Sequence, residues 1–237
     1  YTGEYKQLLK GMKDGVLTLG GDKIAFENGS GDIYAAKIID LGNAIIDTES
    51  FLKIDSAGRY FDPSWSPDGQ YIAYENRLIK HVDTAGIWIA PADGSQRQSY
   101  FGRGAIPEWM PDGSGMVYAK SFPGYPEINK VGLYFESMDH REKNLIHTQG
   151  EGFGRFDISN DGQHLAIING YSTWKVDSKG GNLTFLKKCA TGATWSPDGK
   201  QIVYTKLAPY TENEGHGHLW IMNTDGSNAS QLTSFSN

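Results

Sequence analysis

The chain has 237 residues, of which 12% are aromatic and 21% charged, and this composition excludes an intrinsically disordered protein. The formal net charge of −6 argues against a nucleic-acid-binding protein that works through its overall positive field. No apolar run approaches the roughly 20 residues that cross a bilayer, so no transmembrane segment is expected. The single cysteine, Cys189, excludes an internal disulfide framework and a cysteine-based zinc site.

Internal repetition is the strongest signal in the sequence. Five ten-residue segments align without gaps, and their first apolar residues after the turn are 48, 44, 49 and 37 residues apart. This spacing is typical of a four-stranded propeller blade. The aligned segments are LTLGGDKIAF (17–26), WSPDGQYIAY (65–74), WMPDGSGMVY (109–118), ISNDGQHLAI (158–167) and WSPDGKQIVY (195–204).

Each repeat predicts four short strands, which we call a to d. The Asp-Gly pairs favour tight turns, and the flanking runs are rich in aromatic and β-branched residues. In the second repeat, strand a ends near Trp65, and strands b, c and d are expected at 71–75, 87–90 and 96–100. A second aromatic recurs in strand c of each repeat, at Tyr34, Trp88, Tyr134, Trp174 and Trp220.

The pattern predicts an all-β fold, a β-propeller of four-stranded antiparallel blades. One such sheet cannot bury both of its faces alone, whereas radial stacking buries them and leaves only short edges. We expect a single domain over 1–237 with five blades, and six remain possible because Lys6–Leu9 resembles a lone strand d. The repeats are expected at about 14–58, 59–102, 103–150, 151–188 and 189–235.

The repeated segment resembles the PD40 (WD40-like) repeat of the TolB-like propeller family, W-S-P-D-G-x-x-I-A-Y. The match is close at 65–74 and 195–204, good at 109–118, and degraded at 158–167 and 17–26. The resemblance implies a periplasmic or secreted protein with protein partners, among them envelope proteins. It says little about activity, because the fold hosts binding proteins, lyases and peptidase propellers. The α/β domain that accompanies the TolB propeller has no match here.

One face of the predicted propeller carries the long connections between strands b and c and between strands d and a. We call it the loop face, and we expect function there because long loops on a rigid scaffold usually carry binding sites. Its mixture of charged and aromatic side chains fits a protein or peptide partner, with carbohydrate as the alternative. The predicted binding residues are Arg59, Tyr60, Arg77, His81, Arg103, Tyr125, Arg155, Tyr171, Tyr210 and Glu214.

A metal-dependent enzyme is the main alternative to this non-enzymatic binding platform. His216 and His218 lie on one side of a strand because side chains alternate, and with Glu212 or Glu214 they could hold Zn or Mn. Propeller-type oligogalacturonide lyases have a similar His-x-His with an amide residue three positions upstream, where this chain has Asn213. In that reading, an oligouronide lyase or hydrolase would bind a uronate carboxylate through Arg77, Arg103 or Arg155.

Other activities have less support. The sequence lacks the G-x-S-x-G elbow of a serine hydrolase, and no catalytic residue is predicted. No cofactor is predicted either, with a Mn, Zn or Ca ion as the alternative. The recurring Asp-Gly pairs are read as turns rather than as a calcium site, because no D-x-[DN]-x-[DN]-G loop occurs. A third option is an accessory or sensor domain of a longer chain. Trp65, Trp109 and Trp195 recur at the repeat period and therefore predict blade-to-blade packing.

Overall fold

The computed structural model describes residues 12–18, 20–56, 60–77, 85–95, 98–120, 131–149, 153–207 and 217–233. These residues form twenty β-strands and, within the same ranges, no helix. No described helix could therefore span a membrane. Contacts between residues group the chain into two compact units, Tyr1–Lys120 and Ser121–Asn237.

The strands form five four-stranded antiparallel sheets, and the fold is a five-bladed β-propeller, as the repeats predict. Each sheet follows the order a-b-c-d along the chain. The first sheet contains β1 (Lys13–Leu17), β2 (Lys23–Glu27), β3 (Ile33–Asp40) and β4 (Ile45–Asp55); the second contains β5 (Tyr60–Trp65), β6 (Tyr71–Asn76), β7 (Gly86–Pro91) and β8 (Ser99–Gly102). The third contains β9 (Ala105–Trp109), β10 (Gly115–Lys120), β11 (Val131–Ser137) and β12 (Lys143–Gln149). The fourth contains β13 (Phe153–Ile158), β14 (His164–Asn169), β15 (Ser172–Asp177) and β16 (Thr184–Lys188); the fifth contains β17 (Ala190–Trp195), β18 (Gln201–Lys206), β19 (His218–Asn223) and β20 (Ser230–Gln231).

Strand d of the second sheet differs from its predicted position. It begins at Ser99 and ends at Gly102, because Ser99 pairs with Ile89 and Gly102 pairs with Ile87. The predicted d-like segment Lys6–Leu9 lies outside the described residues.

A shared side-chain network builds the turn between strands a and b. The Ser66 hydroxyl donates to Asp68 Oδ1 (2.6 Å), the backbone N–H of Gln70 donates to the same oxygen (3.0 Å), and the N–H of Tyr71 donates to Ser66 Oγ (2.9 Å). Gly69 has φ +64°, a conformation that glycine adopts without steric cost. The same network recurs at Ser159–Asp161 and Ser196–Asp198.

Adjacent sheets pack through the repeat tryptophans and tyrosines. Trp65 is 7% exposed, and its Nε1 donates to the carbonyl of Val16 in the first sheet (3.1 Å). Trp195 is 9% exposed, and its Nε1 donates to the carbonyl of Asp157 in the fourth sheet (3.2 Å). The predicted role of these residues between blades is therefore confirmed at both positions. Apolar residues around them complete one buried cluster between the first two sheets and another between the last two.

Candidate functional site

At the loop-face end of the second sheet, paired residues form a regular row across all four strands. Strand pairing places Phe61 beside Glu75, Glu75 beside Ile87, and Ile87 beside Gly102, so these residues form one row across the sheet. The chain then leaves β6 through Arg77 and leaves β8 through Arg103. Two of the predicted binding residues therefore lie at the ends of a regular sheet rather than within long loops.

Arg77 is fixed by contacts on two sides. Its Nη2 donates to Glu75 Oε2 (3.0 Å), its Nε donates to Oε1 of the same carboxylate, and its Nη2 lies 3.9 Å from Asp62 Oδ2. The guanidinium carbon lies 4.5 Å from the centre of the Phe61 ring. Glu75 is only 5% exposed, so its buried negative charge requires a partner, and Arg77 supplies it. About half of the Arg77 side chain (51%) remains exposed.

A bulge shapes the inner strand beside this cluster. The pairing of β5 with β6 shifts between Phe61 and Ser64, and Asp62 has φ +50°. Ile106 and Gly192 occupy the matching positions in β9 and β17, with φ +52° and +59°, and the pairing shifts there as well. A bulge re-aims side chains at the edge of a sheet. At β5 it accompanies the approach of Asp62 to Arg77.

Tyr60 has a largely structural environment. It is 5% exposed, its hydroxyl donates to the carbonyl of Ser56 (3.3 Å), and its ring packs edge-on against Tyr74 with centroids 5.3 Å apart. Burial, assisted by the nearby negative charge of Asp55, raises the pKa of Tyr60 to about 12. Tyr60 therefore stays neutral at physiological pH, and its buried side chain stabilises the loop-face end of β5.

Arg103 follows β8 and is partly buried. Its side chain hydrogen-bonds the hydroxyl of Tyr100, which also lies 3.4 Å from the carbonyl of Ala85. Burial raises the pKa of Tyr100, while the charge of Arg103 acts in the opposite direction. Arg103 is thus a second cation at the end of the second sheet, beside the Tyr100 hydroxyl.

The fourth sheet places Tyr171 and Arg155 at its loop-face end. Here strands b and c are joined by only two residues, Gly170 and Tyr171, and Gly170 has φ +61°. The Tyr171 side chain is 70% exposed, and its backbone carbonyl accepts a hydrogen bond from the N–H of Ala190 (3.1 Å). Arg155 lies in the bulge of β13 and is exposed.

His218 begins β19, where it pairs with Lys206 of β18 and is partly buried. The described residues contain no group of three or more His, Cys, Asp or Glu side chains that could hold a metal ion. His216, the other half of the predicted pair, lies outside the described residues, as do Arg59, His81, Tyr125, Tyr210 and Glu214.

The sequence-based site omitted Phe61, the ring on which Arg77 stacks. The only indication in the sequence was that Phe61 follows Tyr60 at the start of a predicted strand a. Only the cross-strand pairing with Glu75 shows that the ring lies on the same side as the arginine.

No protein-family model matches the chain, and no curated protein matches it. Solved structures do match. A putative TolB from Agrobacterium tumefaciens has a TM-score of 0.72 at 18% identity, with 94% of this chain and 80% of that chain covered. TolB from Acinetobacter baumannii has a TM-score of 0.66 at 19% identity, with coverages of 91% and 52%. An oligogalacturonate lyase in complex with manganese has a TM-score of 0.58 at 12% identity, with coverages of 92% and 79%.

At these identities the similarity establishes the fold and not the activity. This chain spans about half of the Acinetobacter protein, whereas it spans four fifths of the Agrobacterium protein. Together with the five repeated sheets, the matches show that the chain has the fold of the TolB-like β-propellers.

Proposed function

We propose that this chain is a non-enzymatic binding propeller that docks a protein or peptide on its loop face. The observation that supports this proposal most directly is the Arg77 cluster. There, a half-exposed guanidinium is held by a buried carboxylate and an aromatic ring. Such a group loses little conformational freedom on binding, and arginine and aromatic residues dominate protein interfaces.

Two further features fit the same role. Arg103 adds a second, partly buried cation at the loop-face end of the second sheet, and Tyr171 is an exposed aromatic ring at the loop-face end of the fourth sheet. The similarity in fold to two TolB structures favours a protein partner and a location in the periplasm or outside the cell. Within this proposal, Arg59, His81, Tyr125, Tyr210 and Glu214 would extend the binding surface along the connecting loops.

Affinity capture tests the proposal. Immobilised protein is incubated with an envelope extract of the source cells, and bound proteins are quantified by mass spectrometry. We expect a stoichiometric partner that is retained by Arg141→Ala and lost from Tyr171→Ala or Arg77→Ala. Arg141 is a matched control, because it lies in the turn between β11 and β12 with 88% of its side chain exposed. Capture that is equal for all variants would contradict a loop-face site.

The Arg77→Ala variant leaves the buried Glu75 without its strongest partner, so its thermal stability is measured in parallel. Tyr171→Ala removes a mostly exposed ring and is expected to leave the fold intact. The two variants together separate loss of binding from loss of folding.

The enzymatic alternative is a metal-dependent oligouronide lyase or hydrolase. It is supported by the position of His218 at the start of β19 and by the similar fold of a lyase with manganese. Two measurements test this alternative. The metal content of the purified protein is determined, and lyase activity is assayed with oligogalacturonate by the absorbance of the unsaturated product. Stoichiometric Mn or Zn and turnover that is lost in His218→Ala would replace the binding proposal.

A further inference from the structure

One corner of the loop face, between the fourth and fifth sheets, concentrates positive charge. We call it the lysine corner and define it by residues 169–173, 187–192, 204–207 and 217–220, all within the second compact unit. These residues include Lys187, Lys188 and Lys206, and none of them is Asp or Glu. The chain as a whole carries a net charge of −6, and the loop 208–216 between two of these segments, outside the described residues, contains Glu212 and Glu214, so the positive sign belongs to the described segments.

Hydrogen bonds to backbone carbonyls hold the corner together. The N–H of Ala190 donates to the carbonyl of Tyr171 (3.1 Å), and the Thr173 hydroxyl donates to the carbonyl of Ala190 (3.0 Å). Leu207 donates its N–H to the carbonyl of Cys189 (2.9 Å). The connection between the two sheets is therefore tied both to the Tyr171 turn and to the end of β18.

Strand pairing places the two exposed lysines near each other. Lys188 pairs with Ser172, and two residues later Ala190 pairs with Lys206. Both lysines are exposed. Paired residues of an antiparallel ladder have Cα atoms about 5 Å apart, so the Cα atoms of Lys188 and Lys206 are within roughly 12 Å of each other once the two-residue step is added. That separation matches carboxylates spaced along an extended peptide.

Two aromatic rings lie at the corner, one of them in contact with Lys206. The Lys206 ammonium lies 4.2 Å from the centre of the Trp220 ring, which restricts its position without neutralising its charge. Tyr171, 70% exposed, presents a ring at the tip of the neighbouring turn. The corner thus offers one cation positioned on an aromatic ring, a second exposed lysine near it and an exposed tyrosine ring.

We propose that the lysine corner binds an acidic segment of the partner, with at least two carboxylates contacting Lys188 and Lys206 and an apolar side chain packing on Tyr171. This proposal rests on the proposed function and specifies the chemistry of the partner. Electrostatic complementarity of this kind steers association and selects the partner.

A defined peptide tests the proposal on the whole chain. A fluorescein-labelled deca-glutamate peptide is titrated with protein, and fluorescence anisotropy is measured at NaCl concentrations from about 50 to about 300 mM, a range over which screening strengthens markedly. We expect binding that weakens with salt, and no binding of an uncharged deca-glutamine peptide. A deca-glutamate peptide with a central tryptophan should bind more tightly to the wild type, and this gain should disappear in Tyr171→Ala.

Lysine variants with matched controls locate the site. Lys188→Gln and Lys206→Gln should each weaken deca-glutamate binding by about three- to fivefold, as expected for one exposed ion pair. Lys179→Gln and Lys200→Gln make the same charge change in the turns at the other end of the same two sheets, away from the loop face. Both of these lysines are exposed. These two controls should bind like the wild type.

Cys189 supplies a second readout, because it lies between Lys188 and Ala190 and is partly exposed. Saturating deca-glutamate should slow alkylation of this cysteine by iodoacetamide. Absence of peptide binding, equal losses in all four lysine variants, or displacement of the peptide by oligogalacturonate at lower concentrations than by unlabelled peptide would each overturn the proposal. A partner captured through Arg77 but indifferent to Lys188 and Lys206 would overturn this inference and leave the proposed function standing.

Discussion

The tyrosine that ends the repeat segment has different hydrogen bonding in different blades. Tyr74 is fully buried, and its hydroxyl donates to Asp55 Oδ2 (2.6 Å) in strand d of the preceding sheet. Tyr204 is equally buried, but its hydroxyl has no hydrogen-bond partner among the described residues. Leu186 is the counterpart of Ile54, so Lys187 replaces Asp55 at the matching position. The repeat therefore preserves the ring and loses the acceptor.

This difference predicts opposite outcomes for the same substitution. Tyr74→Phe should lower the free energy of unfolding by about 1–3 kcal/mol, since it removes a hydrogen bond to a charged acceptor and leaves Asp55 without it. Tyr204→Phe should change it by less than about 0.5 kcal/mol or raise it, because a buried hydroxyl without a partner is removed. Urea denaturation of the two variants measures both values. Equal destabilisation would mean that the Tyr204 hydroxyl has a strong partner.

The serine–aspartate turns predict a defined response to acid. The Ser159 hydroxyl and the backbone N–H of Gln163 donate to Asp161 and lower the pKa of its carboxyl below 3.8. Because the pKa is lower in the folded protein, this carboxylate stabilises the fold above pH 3.8, and the contribution is lost as the pH falls through the folded value.

Asp161→Asn keeps an acceptor and removes the charge. We expect it to reduce the free energy of unfolding by about 0.5–1 kcal/mol at neutral pH, a modest value because the turn is largely exposed. The difference from the wild type should shrink between neutral pH and about pH 2, because the wild-type carboxyl takes up a proton as the pH falls. Chemical denaturation at the two pH values measures this. A difference that grows on acidification would contradict the assigned pKa direction.

At the scale of strands and turns, the turn between strands c and d packs on strand d of the preceding sheet. A Cβ atom added at Gly226 would lie 2.7 Å from the backbone oxygen of Leu186. A Cβ at Gly94 would lie 2.8 Å from the side chain of Leu52 in the same kind of contact. By contrast, Gly199, in the turn between strands a and b of the fifth sheet, has no atom within 4 Å of its hypothetical Cβ. The turn between strands c and d therefore contacts the preceding sheet, whereas the turn between strands a and b of the fifth sheet faces open space at Gly199.

Alanine substitution of these two glycines separates backbone strain from steric contact. Both have positive φ, +84° at Gly226 and +68° at Gly199, so each alanine variant loses about 1–2 kcal/mol of stability from conformation alone. Gly226→Ala should lose a further 1–3 kcal/mol, roughly, because the contacted atom is backbone and cannot move aside as a side chain would. Urea unfolding of both variants gives the difference. Equal losses would show that the sheets separate easily at this turn.

The sequence predicted the elements that depend on local chemistry. The Pro-Asp-Gly turns, the buried Trp65 and the strand β6 follow from residue type and spacing, and all are present. The start of strand d was misplaced because its weak pattern is fixed only by pairing with Ile89 and Ile87. The stacking of Arg77 on Phe61 was missed for a similar reason, since it depends on a bulge and a cross-strand neighbour. A contact between distant residues that is specific to one blade leaves no periodic trace in the sequence.

At the scale of the whole molecule, a repeated sheet constrains fold far more than function. Five variants of one sheet reproduce the same turns and inner contacts, while the residues at the loop-face ends differ from sheet to sheet: Glu75 and Arg77 in the second, Tyr171 in the fourth, Lys206 and His218 in the fifth. Solved structures named as TolB and as a lyase with manganese share this architecture. The binding and enzymatic proposals must therefore be separated by a property of the entire chain in solution.

Thermal stability in the presence of manganese is such a property. A ligand that binds only the folded chain stabilises it by about 2.7 kcal/mol at a concentration one hundred times its Kd, which corresponds to a rise in Tm of more than about 5 °C for a domain of this size. For a binding platform without a metal centre, we expect the same Tm in EDTA and in millimolar Mn²⁺ or Zn²⁺, and unchanged partner capture in EDTA. A rise in Tm that is abolished by His216→Ala and also by His218→Ala would instead establish the metal site and favour the lyase. Metal bound non-specifically elsewhere on the surface would still raise the Tm of both variants.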